Sequence, residues 1–177
     1  YNDNISDVDN NENIIQTSIK QDENLKDASG TFAQLDSQIQ NAGVGSTLIL
    51  DKNYTYSTSD TNPNGIIINK NLTIDGKGHI LDGSGVSSIF IITGQSHVTL
   101  KNITFANAYG SNGAALSWTS ESNVDVTYST FRDNHVSGNG GAIYIEGNGD
   151  ISLNSNISHS TFINNHAVNG GAIYASG

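Results

Sequence analysis

The chain of 177 residues has no cysteine, one proline (Pro63) and one arginine (Arg132). Without cysteine there is no disulfide, thiolate zinc site or thiol nucleophile. Positive charge is equally scarce: seven basic residues against 17 acidic ones leave a net charge of -10. A nucleic-acid binder needs a basic track to displace counterions, and an anionic membrane surface would repel this chain, so neither is expected as a partner. No apolar run approaches the length of a bilayer-spanning helix, and residues 1–13 are too polar and acidic to read as a signal peptide. Good helix formers are few, which excludes a helical bundle.

In their place stand 24 Asn, 22 Ser, 14 Thr and 19 Gly, together with 21 Ile. The isoleucines, with Val, Leu and Phe, can line a core if they all point one way. Three parts follow along the chain. Residues 1–30 form a polar acidic segment with seven acidic residues and two lysines. Within it, Ile14–Ile19 offers one edge strand, and Asp7-Val8-Asp9-Asn10-Asn11-Glu12 clusters oxygen ligands without the register of an EF-hand loop. Next, Phe32, Leu35, Ile39 and Ala42 fall on one helical face, with Thr31 and Gln34 spaced as a capping box and Gly43 suited to the C′ position. This predicts a helix over about 32–42. From about residue 46, apolar runs of three or four residues recur, separated by Gly, Asn and Asp.

Internal repetition decides the fold. Ser129-Thr130-Phe131-Arg132-Asp133-Asn134-His135 returns 31 residues later as Ser160-Thr161-Phe162-Ile163-Asn164-Asn165-His166. Gly140-Gly141-Ala142-Ile143-Tyr144 returns 30 residues later as Gly170-Gly171-Ala172-Ile173-Tyr174. A degraded copy lies upstream, at Ile103-Thr104-Phe105-Ala106-Asn107 and Gly113-Ala114-Ala115-Leu116. Units of this length, with about three short strands and no helix, predict an all-β fold: a right-handed parallel β-helix of about five coils with an N-terminal capping α-helix. The solenoid domain is expected over 31–177, with its C-terminal end open or truncated. Phe105, Phe131 and Phe162 should form one inward column, Leu116, Ile143 and Ile173 another, and Asn134 and Asn165 a corner ladder.

The Phe-x-x-Asn and Gly-Gly-Ala-Ile elements resemble the repeats of chlamydial polymorphic outer-membrane proteins, which are autotransported adhesins. The first copy departs, with Ala108 at the Asn position and Ala114 at the second Gly. The upstream half, with Gly30-Thr31-Phe32 and its helix, Leu72-Thr73-Ile74-Asp75-Gly76 and Ile80-Leu81-Asp82-Gly83, is similar to adhesin-like surface proteins of methanogenic archaea. Both resemblances imply a β-helix at the cell surface and adhesion, and neither implies catalytic residues.

Candidate chemistry is thin. Asp75 and Asp82 could pair as in polysaccharide hydrolases, but each precedes Gly and reads first as a turn. His135 and His166 should stack about 5 Å apart, close enough to share a metal but without a third ligand. No cofactor, metal or catalytic residue is therefore expected. Sequons occur at Asn4, Asn53, Asn71, Asn102 and Asn156; 24 Asn and 36 Ser plus Thr in 177 residues give about five by chance. Asn71 and Asn102 precede strands and are expected to be partly buried. Alternation along the strand turns Ser117, Tyr144 and Tyr174 outward, where tyrosines can hold a sugar ring or a partner's surface; the competing expectations are that a loop over residues 146–157 covers them or that they merely stabilise each other across the sheet.

These readings point to a non-enzymatic, extracellular adhesin segment that attaches to a protein or glycan on another cell. The alternative is a structural subunit of a surface filament or layer, self-associating through open coil ends; a polysaccharide lyase or hydrolase ranks third.

Overall fold

A computed structural model describes residues 29–147 and 154–176. The expected strand at Ile14–Ile19 and the acidic cluster at residues 7–12 lie outside these residues. The chain is a parallel β-solenoid of about five turns with one short helix near its start. Each turn contributes a strand to each of three faces. One face stacks Gly30–Thr31, Tyr54–Thr55, Ile80–Asp82, Thr104–Ala106, Thr130–Arg132 and Thr161–Ile163; we call it the Phe face. The Thr face stacks Thr47–Ile49, Leu72–Asp75, His97–Lys101, Asn123–Thr127 and Asn156–Ser158. The Tyr face stacks Ile66–Ile68, Phe90–Ile92, Leu116–Thr119, Ile143–Glu146 and Ile173–Ser176.

The register follows the repeat. Phe105, Phe131 and Phe162 are direct cross-strand partners, and their rings stack with centroids 4.8 Å apart at each step. Leu116, Ile143 and Ile173 also align. Phe105, Phe131, Leu116 and Ile143 are fully buried. Phe162 is half-buried and Ile173 is 38% exposed, since among the described residues one neighbouring coil covers each of them. The core is thus a set of parallel columns, and each inner side chain is buried mainly by its equivalents above and below.

The corners explain the Gly and Asn content. After the Phe face the chain turns through Asn107, Asp133 and Asn164, at φ 48°, 57° and 52°. Before the Tyr face it turns through Gly113, Gly140 and Gly170, at φ 57°, 68° and 59°. At Gly140 a side chain would also strike the carbonyl of Ile143, so both conformation and space require glycine. The expected asparagine ladder is present. Asn134 Nδ2 donates to Phe105 O at 3.2 Å and to Asn165 Oδ1 at 2.8 Å. Asn134 Oδ1 accepts the Ala108 N–H at 3.0 Å, and Asn165 Nδ2 donates to Phe131 O at 2.9 Å. Asn134 is completely buried, which is tolerated because its polar atoms are bonded.

The helix spans Phe32–Asn41 and lays Phe32, Leu35 and Ile39 into the core. The capping box forms: Thr31 Oγ1 accepts the Gln34 N–H and Gln34 Oε1 accepts the Thr31 N–H. Two further fasteners were not expected. The Asp60 carboxylate accepts the N–H groups of Phe32 and Ala33, and Lys70 Nζ donates to the carbonyls of Gln40 and Ala42. Both match the polarity of a helix, whose start favours an anion and whose end favours a cation. Two expectations need correction. Gly43 is not a left-handed C′ residue: the helix ends through Ala42 in extended conformation, and the positive φ falls at Gly45. Strand pairing also begins before residue 46, since Gly30–Thr31 already pairs in parallel with Tyr54–Thr55.

Candidate functional site

Outward positions on the Tyr face form a column running Ile67, Ile91, Ser117, Tyr144 and Tyr174, each the direct partner of the next. The Tyr144 and Tyr174 rings lie parallel, 5° apart in plane, with centroids separated by 5.8 Å. The tyrosines therefore do not spread their faces over the sheet as a flat platform. They stand as rungs, and each shared face is occupied by the other ring. The free face of Tyr144 looks along the column toward Ser117. Because Ser117 is small, a notch opens between Tyr144 and Ile91, two coil steps away. Two steps amount to about 9.6 Å, and a flat ring in contact on both faces needs about 7–8 Å.

A groove of about 570 Å³ surrounds this notch. Tyr109, Ser111 and Asn112 border it on one side, and Glu146 lies at the end of the Tyr144 strand. The structure thus brings Ser117 and Tyr144 together in one groove, while Tyr174 stands behind Tyr144 and does not line it. Part of the loop that was expected to fold over the tyrosines, residues 148–153, lies outside the described residues. Tyr109 was missed from the sequence although it was legible there: it follows Phe105 by four residues, as His135 follows Phe131 and His166 follows Phe162. These three rings form their own exposed stack, with centroid separations of 5.7 Å and 4.9 Å.

The two Asp-Gly carboxylates are engaged in turns. Asp82 accepts the Ser84 N–H at 2.7 Å and Asn107 Nδ2 at 3.0 Å. Asp75 accepts the Lys77 N–H and Asn102 Nδ2, both at 3.1 Å, and its Oδ2 is 3.2 Å from Lys77 Nζ and 3.5 Å from Lys101 Nζ. Burial acts to raise the Asp75 pKa, but the hydrogen bonds from Asn102 and Lys77 and the Lys77 charge outweigh it and hold the value down to about 2. Tyr54, buried and bonded to Asp51 at 2.7 Å, is pushed up to about 12. Among the described residues, no three His, Asp or Glu side chains converge on a common point.

The sequons fall into two kinds. Asn71 and Asn156 are exposed, which for Asn71 corrects the expectation of partial burial: its Oδ1 reaches sideways to the His97 N–H. Asn53 and Asn102 are half-buried, with Asn53 Oδ1 accepting the Ile80 N–H. Asn4 lies outside the described residues.

Compared with known proteins, residues 128–146 and 150–176 match the model of the Chlamydia polymorphic membrane protein repeat. These segments hold the two best copies of the internal repeat. No curated protein and no solved structure matches the chain. Among the described residues, no helix is long and apolar enough to cross a membrane.

Proposed function

We propose that this chain is a non-enzymatic segment of a cell-surface adhesin, and that it holds a glycan or a partner's surface in the groove on its Tyr face. The observation that carries this reading is the open face of Tyr144 above Ser117, at the free end of a stacked tyrosine pair. A pyranose ring slides against an aromatic face through its C–H groups, and exposed tyrosines are enriched at interfaces for the same reason. The hydroxyl of Ser117 and the carboxylate of Glu146 offer hydrogen bonds at the rim. Among the described residues, no basic side chain lines this groove, so a neutral sugar suits it best. The likeness of the last two coils to an outer-membrane repeat supports an extracellular location. The non-enzymatic reading is supported by Asp75 and Asp82 being engaged in separate turns.

The test is the double variant Tyr144→Ala/Tyr174→Ala on a glycan array and in a cell-attachment assay, with circular dichroism to verify the fold. Binding should fall at least tenfold. A folded double variant that binds as well as the parent would remove this face. Polysaccharide turnover lost on Asp75→Asn or Asp82→Asn would overturn the non-enzymatic reading.

A further inference from the structure

A second aromatic pair sits at a different edge, where the chain turns from the Thr face to the Phe face. In successive coils this corner passes through Lys77, Asn102, Tyr128 and His159, at φ 50°, 55°, 50° and 49°. Asparagine is at ease in this left-handed conformation, while a bulky residue such as tyrosine rarely adopts it. Neither conformation nor burial accounts for Tyr128, which is 63% exposed. Its ring lies on that of His159, with centroids 4.8 Å apart and planes 21° apart. His159, from the following coil, covers one face of Tyr128. The other face looks back over the preceding coils into a groove of about 420 Å³, bordered by Lys77, Gly78, Asn102, Thr104 and Thr130.

Charge sets this groove apart from the rest of the molecule. The chain carries a net charge of -10, yet Lys77, which lines the groove, shares one carboxylate oxygen of Asp75 with Lys101, the chain neighbour of the lining residue Asn102. That carboxylate is 6% exposed, whereas the lysines are 56% and 39% exposed. Solvent therefore meets a surplus positive charge beside an open aromatic face. Elsewhere among the described residues, Lys52 and Arg132 each face one carboxylate and Lys70 caps the helix.

We propose that this corner is a binding site for an acidic sugar, a uronate or a sulfated hexose. The pyranose ring would lie against the free face of Tyr128, with its carboxylate or sulfate toward Lys77 and Lys101. The hydroxyls of Thr104 and Thr130 supply donors and acceptors for the ring hydroxyls. The geometry combines stacking with a charge-assisted contact, which selects acidic over neutral sugars. The site does not depend on the Tyr-face groove, which lies on another face and carries no cation.

The test uses the purified chain, expressed without N-glycans, and isothermal titration with hexagalacturonate, a chondroitin sulfate hexasaccharide and neutral maltohexaose. At least one acidic probe should bind at low salt, at least tenfold tighter than maltohexaose, and weaken as salt rises from 50 to 500 mM. Tyr128→Asn is the informative variant. Asparagine suits the corner, as at Asn102, so the variant should fold and melt no lower than the parent while losing the acidic probe at least tenfold. Lys77→Gln should lose severalfold and flatten the salt dependence. Tyr144→Ala/Tyr174→Ala should leave the acidic affinity unchanged, which separates failure here from failure of the Tyr-face reading. Equal affinity for maltohexaose, no binding of either acidic probe, or full affinity in folded Tyr128→Asn would overturn the proposal.

Discussion

Inside the solenoid, Phe105, Phe131 and Phe162 stack 4.8 Å apart; outside it, Tyr144 and Tyr174 stack 5.8 Å apart. Both columns keep their rings parallel to within 8°. The coil register sets one ring over the next and the contact between the rings keeps them parallel, whether the ring meets core or water. What differs is the end of the column. The inner column continues into Leu81 of the preceding coil, while Phe90, from the Tyr face, meets Phe105 edge-on at 5.9 Å and closes the packing. The outer column stops at Ser117, and the last ring keeps a face free. A repeat thus yields a core where every coil supplies a bulky residue and an open groove where one coil supplies a small one.

The largest way to break this comparison is Phe131→Ala. Its ring is covered by a Phe on each side, so the substitution removes two stacking contacts and opens a cavity between rigid coils. A loss of about 3–5 kcal/mol is expected, read as a lower urea midpoint. An unchanged midpoint would show that the column does not carry the fold. Next comes Asn134→Ala, which strands the Ala108 N–H and removes the side-chain bond to the Phe105 carbonyl at a buried corner. The expected loss is about 2–3 kcal/mol. Since Asn165 repeats this arrangement on a half-buried corner, Asn165→Ala should cost less than Asn134→Ala in the same measurement.

Asp75 gives a smaller effect with a defined pH window. Its folded pKa is lowered to about 2, below the unfolded value of about 3.9. A depressed carboxylate pKa contributes stability that is fully present above the unfolded value and lost as pH falls through the folded one. Stability should therefore decline between about pH 5 and pH 2. The share due to Asp75 is on the order of 1–2 kcal/mol, because the exposed lysines are screened by solvent. In Asp75→Asn this acid limb should flatten while the parent stays steeper; parallel pH profiles would show that the lysine pair does not stabilise the folded carboxylate.

The fold was legible because repetition fixes it. Offsets of 30 and 31 residues place Phe131 over Phe162 and Ile143 over Ile173 whatever the loops do, and the capping box of Thr31 and Gln34 marks the helix start by itself. Details set by long-range contact were not legible. Nothing near Gly43 tells that the chain leaves the helix in extended form, and nothing near Asp60 or Lys70 tells that they fasten its two ends. The left-handed corners at Asn107, Asp133, Asn164 and His159 suit their residue types, whereas that at Tyr128 runs against residue preference. The Tyr-face site was half legible. Alternation gave the outward direction of Ser117, Tyr144 and Tyr174, but the orientation of the rings depends on their packing against each other, which strand periodicity does not encode.

The smallest expected effect separates the two tyrosines. Tyr144 lines the groove, and Tyr174 only backs it. Tyr174→Ala removes one half-buried ring and one cross-strand stack, so stability should fall by about 0.5–1 kcal/mol. Its effect on binding should be indirect. Without a rung behind it, Tyr144 gains rotamer freedom that a ligand must then restrict, at a cost of about 0.5–1.5 kcal/mol, which corresponds to a roughly twofold to tenfold weaker affinity. Tyr144→Ala should instead remove the contact face itself and weaken binding more than Tyr174→Ala does. Titrating one neutral oligosaccharide into the parent and both single variants decides the order. If Tyr174→Ala weakens binding as much as Tyr144→Ala, the ligand spans both rungs rather than resting on the last one. If neither weakens it, the free end of the column is not where the ligand sits.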